Sequence, residues 1–477
     1  MIFAVWRYRL GLVRYFDVDE YMYPNWAYHI SVGYRPYIDF MMLVTPLYVL
    51  LNIPIFWFWN GTDPLIIGRV IAFIIFILLS GALMWLFWEM RRSWIAIIAG
   101  LILLVLPMPS DKFLEIRPDN LAISLFLFGL VCEMKWMTKN KKSWAFWSGI
   151  LYSLSFLTLQ KTLPYILIAS IVGIIKNIYG TSRKQIFQLS ITYFILGGLL
   201  ALLPIIIWAF ISGSPSIVFY SILKLPVEVS AMYKNLKLGL FYFRPIRAFY
   251  GQDGYGWGII VNHSLWIIGI SVATLRFFWS ILSKKNQKIP ELLLATLCLV
   301  SIGTYIIFPI QYPQYLIPAA VFICWYVADG IYLLWHALKR IRLQIIFIPI
   351  YILVCFILYK TFVYVNWPKI WWTNEADFAR IRNILSSIPR HEYILDFDGR
   401  TLYYPYPYYV CCFHFGDFRH NLSRSFPSIK QALIKTKTKY IYTEPERIWG
   451  LSHDDLEYIE KNYVKSADEF LYVIKSH

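Results

Sequence analysis

The chain has 477 residues, of which 58% are hydrophobic, 19% aromatic and 15% charged, with a formal net charge of +17. A wholly soluble protein of this length has no interior for so much apolar side chain, and apolar runs long enough to cross a bilayer recur along it. The excess base lies in short loops between those runs rather than on one soluble face, which excludes nucleic acid as the expected partner.

In chain order, Met1 to Val13 is apolar with Arg7, Arg9 and Arg14 nearby, and reads as the outer end of a first helix. The loop 14–65 follows. It opens on Asp17-Val18-Asp19-Glu20, three carboxylates within four residues. Its apolar stretch 40–59 carries Pro46 and Pro54 and reads as interfacial or re-entrant. Candidate spans come next at 66–88, 94–109, 119–136, 143–160, 162–179, 187–212, 258–282, 290–309, 314–335 and 343–365. From Asn366 onward there are 15 Lys+Arg and 14 Asp+Glu, which leaves 30 basic and 14 acidic residues before it. That last part alternates helices (374–387, 427–435, 454–462) with strand-like runs (393–397, 408–415, 439–443, 470–474), the pattern of a small α/β domain. The domains expected are therefore 1–365 in the membrane and 366–477 soluble. Six cysteines show neither metal-ligand spacing nor a disulfide framework.

Loop charge sets the orientation. Basic clusters at Arg91-Arg92, Lys139 to Lys142, Lys176 to Lys184, Lys284 to Lys288 and Lys339 to Arg342 fall in every second loop and read as cytoplasmic. Loops 14–65, 109–119, 160–164, 211–257 and 309–315, with everything after 365, then face out. Ten of the 14 acidic residues of the membrane part lie in those outward loops. Acidic residues hardly influence sorting, so their asymmetry points to use. It puts Asp17, Asp19 and Glu20 on the same face as Asp111, Glu115 and Asp119.

Several constellations stand on that face. Asp19 and Glu20 suit general-base chemistry, while Asp17 also suits a helix cap. In Glu115-Ile116-Arg117-Pro118-Asp119, Pro118 and Asp119 fit a helix start, whereas Glu115 and Arg117 are not explained by capping. Arg117 and Lys161 at an outer membrane surface can hold a phosphate, although a snorkelling lysine is the plain alternative for Lys161. The segment Gly251 to Gly258 follows no strand and implies no nucleotide site; loop 211–257 reads as a flexible loop or lid.

Taken together, Phe16-x-x-Asp19-Glu20, Ala27-Tyr28, Ser31-x-Gly33, Pro36-Tyr37-x-Asp39-Phe40 and Thr45-Pro46-Leu47-Tyr48 resemble the first outer loop of the GT-C glycosyltransferases. The nearest group is the bacterial dolichyl-phosphate-mannose protein mannosyltransferase-like and aminoarabinose transferase-like one. The resemblance continues through Arg69, Arg117-Pro118-Asp119 and Leu157-Thr158-x-x-Lys161, and covers residues 10–180. It implies a polytopic α-helical membrane protein with about 10–12 spans plus interfacial helices and a small extracytoplasmic α/β domain. It also implies sugar transfer outside the cell membrane from a polyprenyl-phosphate-linked donor, with Asp19 as the catalytic residue.

On that basis Asp19 and Glu20 are the expected catalytic pair. Lys161, Arg117 and Arg69 are expected at the donor phosphate, and Asp39, Glu115 and Asp119 around the acceptor or sugar. The acceptor is a lipid, a glycan or a protein, and membrane lipids surround the chain. No cofactor is implied; a divalent metal ion is compatible with the carboxylates, but no ligand spacing points to one. The alternative is a polytopic lipid or glycan transporter or flippase. Transporters carry ionisable groups inside spans and often internal repeats. Here only Asp329 is plainly within a span and no repeat is evident.

Overall fold

The computed structural model describes residues 2–139, 141–180, 184–231, 247–283, 289–308, 311–410, 422–444, 448 and 451–475. Among them, seven helices are long and apolar enough to cross a membrane: Asp63–Arg91, Asp119–Lys139, Ser190–Ile211, Trp257–Leu282, Ile289–Ile307, Pro313–Arg340 and Phe347–Ser387. Helices also stand at Lys142–Thr158 and Leu163–Gly180, where two further spans were expected. The expected span 94–109 is shorter: its helix is Ala96–Val105. Pro107 and Pro109 come directly after it, and a residue without an N–H cannot carry the helix on. The apolar stretch 40–59 is neither a span nor one helix. It forms Leu47–Asn52 and Ile55–Phe58, split before Pro54, with Trp57 and Phe58 exposed.

Small residues set the closest helix contact. Lys142–Thr158 packs between Asp119–Lys139 and Lys184–Ile211. A Cβ on Gly149 would stand 2.1 Å from the Phe194 carbonyl oxygen, and one on Gly197 would stand 2.2 Å from that of Phe146. Only glycine lets the two backbones approach this far. At the other end of the bundle from α2, Asp329 accepts from Arg91 Nε at 2.6 Å and Arg276 Nε at 2.7 Å, and Glu291 accepts from Arg91 Nη2 at 2.8 Å. Two arginines and two carboxylates thus tie four helices together.

Ahead of the short helices Leu47–Asn52 and Ile55–Phe58 stand α1, Ile2–Val13, and α2, Val18–Ser31. The described part of the C-terminal region holds a four-stranded sheet of order β1-β2-β4-β3. Its strands are β1 (Ile394–Asp396), β2 (Tyr440–Tyr442), β3 (Tyr463–Lys465) and β4 (Leu471–Ile474). β1 and β2 are parallel and the other pairs antiparallel, with helix Ile429–Thr436 on the crossover. β3 was not expected: it begins where helix His453–Asn462 ends. Tyr408 to Val410 is not a strand, and the rest of the expected run 408–415 lies outside the described residues. The hydrophobic core around α2 includes Ile116 and Leu159 from the membrane part and Phe378, Leu402 and Tyr403 from the C-terminal part.

Candidate active site

The first turn of α2 builds itself. Asp17 is the N-cap, accepting from the Asp19 N–H at 3.2 Å, and Glu20 reaches back to accept from the Asp17 N–H at 3.0 Å. This reciprocal capping box satisfies two amides that a helix start otherwise leaves open. Glu20 is wholly buried and does more. It accepts from Arg69 Nε at 3.0 Å and Nη2 at 2.7 Å, and from the Ile116 N–H at 3.0 Å. The other Arg69 donors go to the carbonyls of Gly11, Arg14 and Tyr15. Glu20 and Arg69 therefore join the first acidic cluster to the second and are spent on each other. Glu20, expected in the catalytic pair, and Arg69, expected at the donor phosphate, are thus buried against each other, and every Arg69 guanidinium nitrogen donates within the protein.

The second cluster closes from the other side. Glu115 is buried and accepts from Arg14 at 2.7 Å, Lys112 at 2.8 Å and Arg117. Arg117 also donates to Asp19 Oδ2 at 2.7 Å and Asp17 Oδ1 at 3.1 Å, and Lys112 to Asp17 Oδ2 at 2.7 Å. Behind them Lys369 donates to Asp111 at 2.7 Å. Charges this deep are tolerable only when paired and hydrogen-bonded. The pairing shows in proton affinity. Burial pushes the Asp17 carboxyl up, but Arg117 and Lys112 outweigh it and bring it down to about 2. Burial also raises Glu115, yet Lys112, Arg117 and Arg14 hold it below the usual carboxylate range. Burial works against the Arg117 charge, and Glu115, Asp19 and Asp17 more than compensate.

Two cavities meet here. One of about 350 Å³ has a mixed wall rich in charge, with Arg14, Asp17, Asp111, Lys112 and Tyr312 beside Val18 and Phe249. The other, of about 470 Å³, is mainly apolar, walled by Met22, Phe156, Tyr165, Ile222, Pro226 and Phe308 among others. Asp19, Arg117 and Gln314 line both. Asp119 and Lys161 lie on the apolar cavity, where the exposed Lys161 Nζ sits 3.7 Å from the centre of the Tyr315 ring. The structure thus brings together Asp19, Arg117, Asp119 and Lys161. It leaves Glu20, Arg69 and Glu115 behind the walls, and Asp39 apart from both cavities, on a surface turn held by Arg35 at 2.8 Å. Among the described residues, no group of three or more His, Cys, Asp or Glu is placed to hold a metal ion.

Sequence reading missed three contributors. Arg14 and Lys112 are single basic residues that each reach across to the other acidic cluster, Arg14 to Glu115 and Lys112 to Asp17. Gln160 accepts from the Thr45 N–H at 3.2 Å and donates to the Leu43 carbonyl at 2.7 Å, fixing the first loop to the rim of the apolar cavity. The pair Gln160-Lys161 at a span end was its only signal. Loop 211–257 supplies a wall through Ile222 to Ser230, while its residues 232–246, with Lys234, Lys237 and Arg244, lie outside the described residues.

No family model and no curated protein matches this chain. Solved structures do. ArnT from Cupriavidus metallidurans in the apo state superposes with a TM-score of 0.63 at 13% identity, covering 98% of this chain and 95% of that one. The same protein bound to undecaprenyl phosphate gives 0.62 at 13% identity, with the same coverage. The Archaeoglobus fulgidus oligosaccharyltransferase gives 0.55 at 12% identity, covering 97% of this chain and 70% of that one. Over nearly its whole length, this polytopic helical chain with its small C-terminal mixed sheet has an ArnT-like fold, shared with the oligosaccharyltransferase.

Proposed function

We propose that the protein transfers a sugar from a polyprenyl-phosphate-linked donor to an acceptor hydroxyl at the extracytoplasmic side of the cell membrane. The observation that carries this reading is the meeting of a charge-lined and an apolar cavity at Asp19, Arg117 and Gln314. An apolar cavity opening beside a lysine suits a prenyl chain ending in a phosphate. The ArnT structure with undecaprenyl phosphate supports that ligand class. Loop charge supports the outward orientation.

In this reading Lys161 and Arg117 face the donor phosphate and stabilise the charge it gathers as it leaves. Asp19 takes the proton of the acceptor hydroxyl as that oxygen attacks the anomeric carbon and the bond from that carbon to the phosphate oxygen breaks. Attack opposite the leaving group inverts configuration through an oxocarbenium-like transition state. Arg117 donates to Asp19 at 2.7 Å, so a phosphate bound beside Asp19 would share that guanidinium with it. Asp119 orients the sugar. The acceptor, whether lipid, glycan or protein, enters from the charge-lined side. Asp329, the ionisable group that a transporter reading would use, is buried against Arg91 and Arg276.

The test has two arms. Lys161→Ala should weaken undecaprenyl phosphate binding to the purified protein by about tenfold, the loss of one charge-assisted contact. Asp19→Asn should keep that binding while transfer from polyprenyl-phosphate sugars in membranes falls by roughly 10²–10⁴-fold. Near-wild-type turnover in Asp19→Asn would sink the assignment.

A further inference from the structure

Helix α2 has two working faces. Asp19, Met22 and Tyr23 face the apolar cavity. Tyr21, Asn25 and His29 recur every fourth residue, so they form one stripe. That stripe is buried, and what buries it is the C-terminal unit. Asn25 Nδ2 donates to the Gly399 carbonyl at 3.1 Å, and the Tyr406 hydroxyl donates to Asn25 Oδ1. The His29 ring stacks on Tyr406 with centroids 3.8 Å apart at 16°, and its Nε2 lies 2.8 Å from the Tyr404 carbonyl. The Arg400 guanidinium lies 5.4 Å from the centre of the Tyr21 ring.

The end of α1 and the link into α2 are held in the same way. Asp377 accepts from the Phe16 N–H at 3.1 Å, and Asn374 donates to the Leu12 carbonyl at 2.6 Å. The helix needs such help. Pro24 stands inside it, and proline gives its own helix no N–H donor. The loop that reaches α2 is itself fixed from within: Asp396, at the carboxyl end of β1, accepts from the N–H groups of Asp398, Gly399 and Thr401 at 2.6–2.8 Å. Among the described residues, none beyond Pro318 lines either cavity. What the C-terminal unit does for the site, it does through α2.

We infer that the C-terminal α/β unit is a brace for the helix that carries Asp19, and that Asn25, His29 and Tyr406 are positioning residues. They hold α2 at the rotation that keeps Asp19 against Arg117, and they take no part in holding the donor. The function assigned to the brace rests on the reading of Asp19 as the base, but not on which sugar or acceptor is used.

The experiment uses the full chain in lipid nanodiscs, with hydrogen exchange read along α2 and undecaprenyl phosphate as the binding probe. In Tyr406→Ala the amides of α2 should exchange about tenfold faster, with Trp257–Leu282 unchanged and probe affinity within about twofold of wild type. Tyr406→Phe keeps the stack and should restore most of the protection. Asn25→Ala should act like Tyr406→Ala, and it carries the comparison if that variant does not fold. Unchanged exchange in α2, or a rise spread over all helices, overturns the brace. So does a loss of probe affinity that matches the loss of protection, since it would put the C-terminal unit in the donor site. A wild-type protein that does not bind undecaprenyl phosphate counts against the transfer reading, and leaves the exchange result standing.

Discussion

Asp19 and Glu20 are neighbours with opposite fates. One turn of helix sends Asp19 to the cavity junction and Glu20 into the interior, where it meets Arg69. The cap itself was legible, because Asp17-x-x-Glu20 is a capping box in any helical sequence. The rest was not, because Arg69 lies 49 residues away and spacing says nothing about partners at that distance. Glu20→Ala should leave Arg69 buried without its carboxylate and cost about 3–5 kcal/mol, read as a lower midpoint of thermal unfolding. Acid should act on the same cluster. Asp17 and Glu115 have folded values below their ordinary 3.8 and 4.5, so the stability they lend is present above those values and lost as pH falls toward 2. Thermal stability should begin to fall below about pH 6.5, because burial holds the His29 ring neutral with its value lowered to about 4, and it should drop further below about pH 4 as Asp17 and Glu115 take up protons. Asp17→Asn should show a shallower drop over that window; an equal slope in the variant would show that Asp17 adds nothing to it.

At the level of elements, apolar runs were enough to find the long helices, since length and hydropathy decide whether a segment can cross a bilayer. They did not show where helices stop. Pro107 and Pro109 cut short the expected span 94–109, and Pro54 breaks the interfacial stretch. Strand β3 was invisible because three residues following a helix without a turn carry no periodic signal. Close contacts between helices are also silent in sequence, although glycine marks them. Gly149→Leu should push against the Phe194 carbonyl and lower the unfolding midpoint in detergent, by an overpacking cost of about 1–3 kcal/mol or more. Gly303 has open space where a Cβ would go, so Gly303→Ala should leave the midpoint unchanged or raise it slightly. Equal effects at the two positions would show that the helix crossing does not depend on Gly149.

On the scale of the whole molecule, the charge asymmetry of the loops was the most useful thing in the sequence. It put two acidic clusters 90 residues and more apart on one face, and in the structure they interlock through Arg117 and Lys112. The far end of the bundle has its own lock. Asp329→Asn should leave Arg91 and Arg276 short of a counter-charge and destabilise the bundle by about 3–5 kcal/mol, with undecaprenyl phosphate binding little changed. An unfolding midpoint equal to wild type would count against that role. The seam along α2 also bears on descent and engineering. A C-terminal unit with its own small sheet looks like a module to be swapped between relatives. The Tyr21, Asn25 and His29 stripe, fitted to Gly399, Tyr404 and Tyr406, says otherwise. Residues of α2 and of the C-terminal unit would have to change in step, and a chimaera that exchanges the C-terminal unit without the matching stripe should hold α2 loosely.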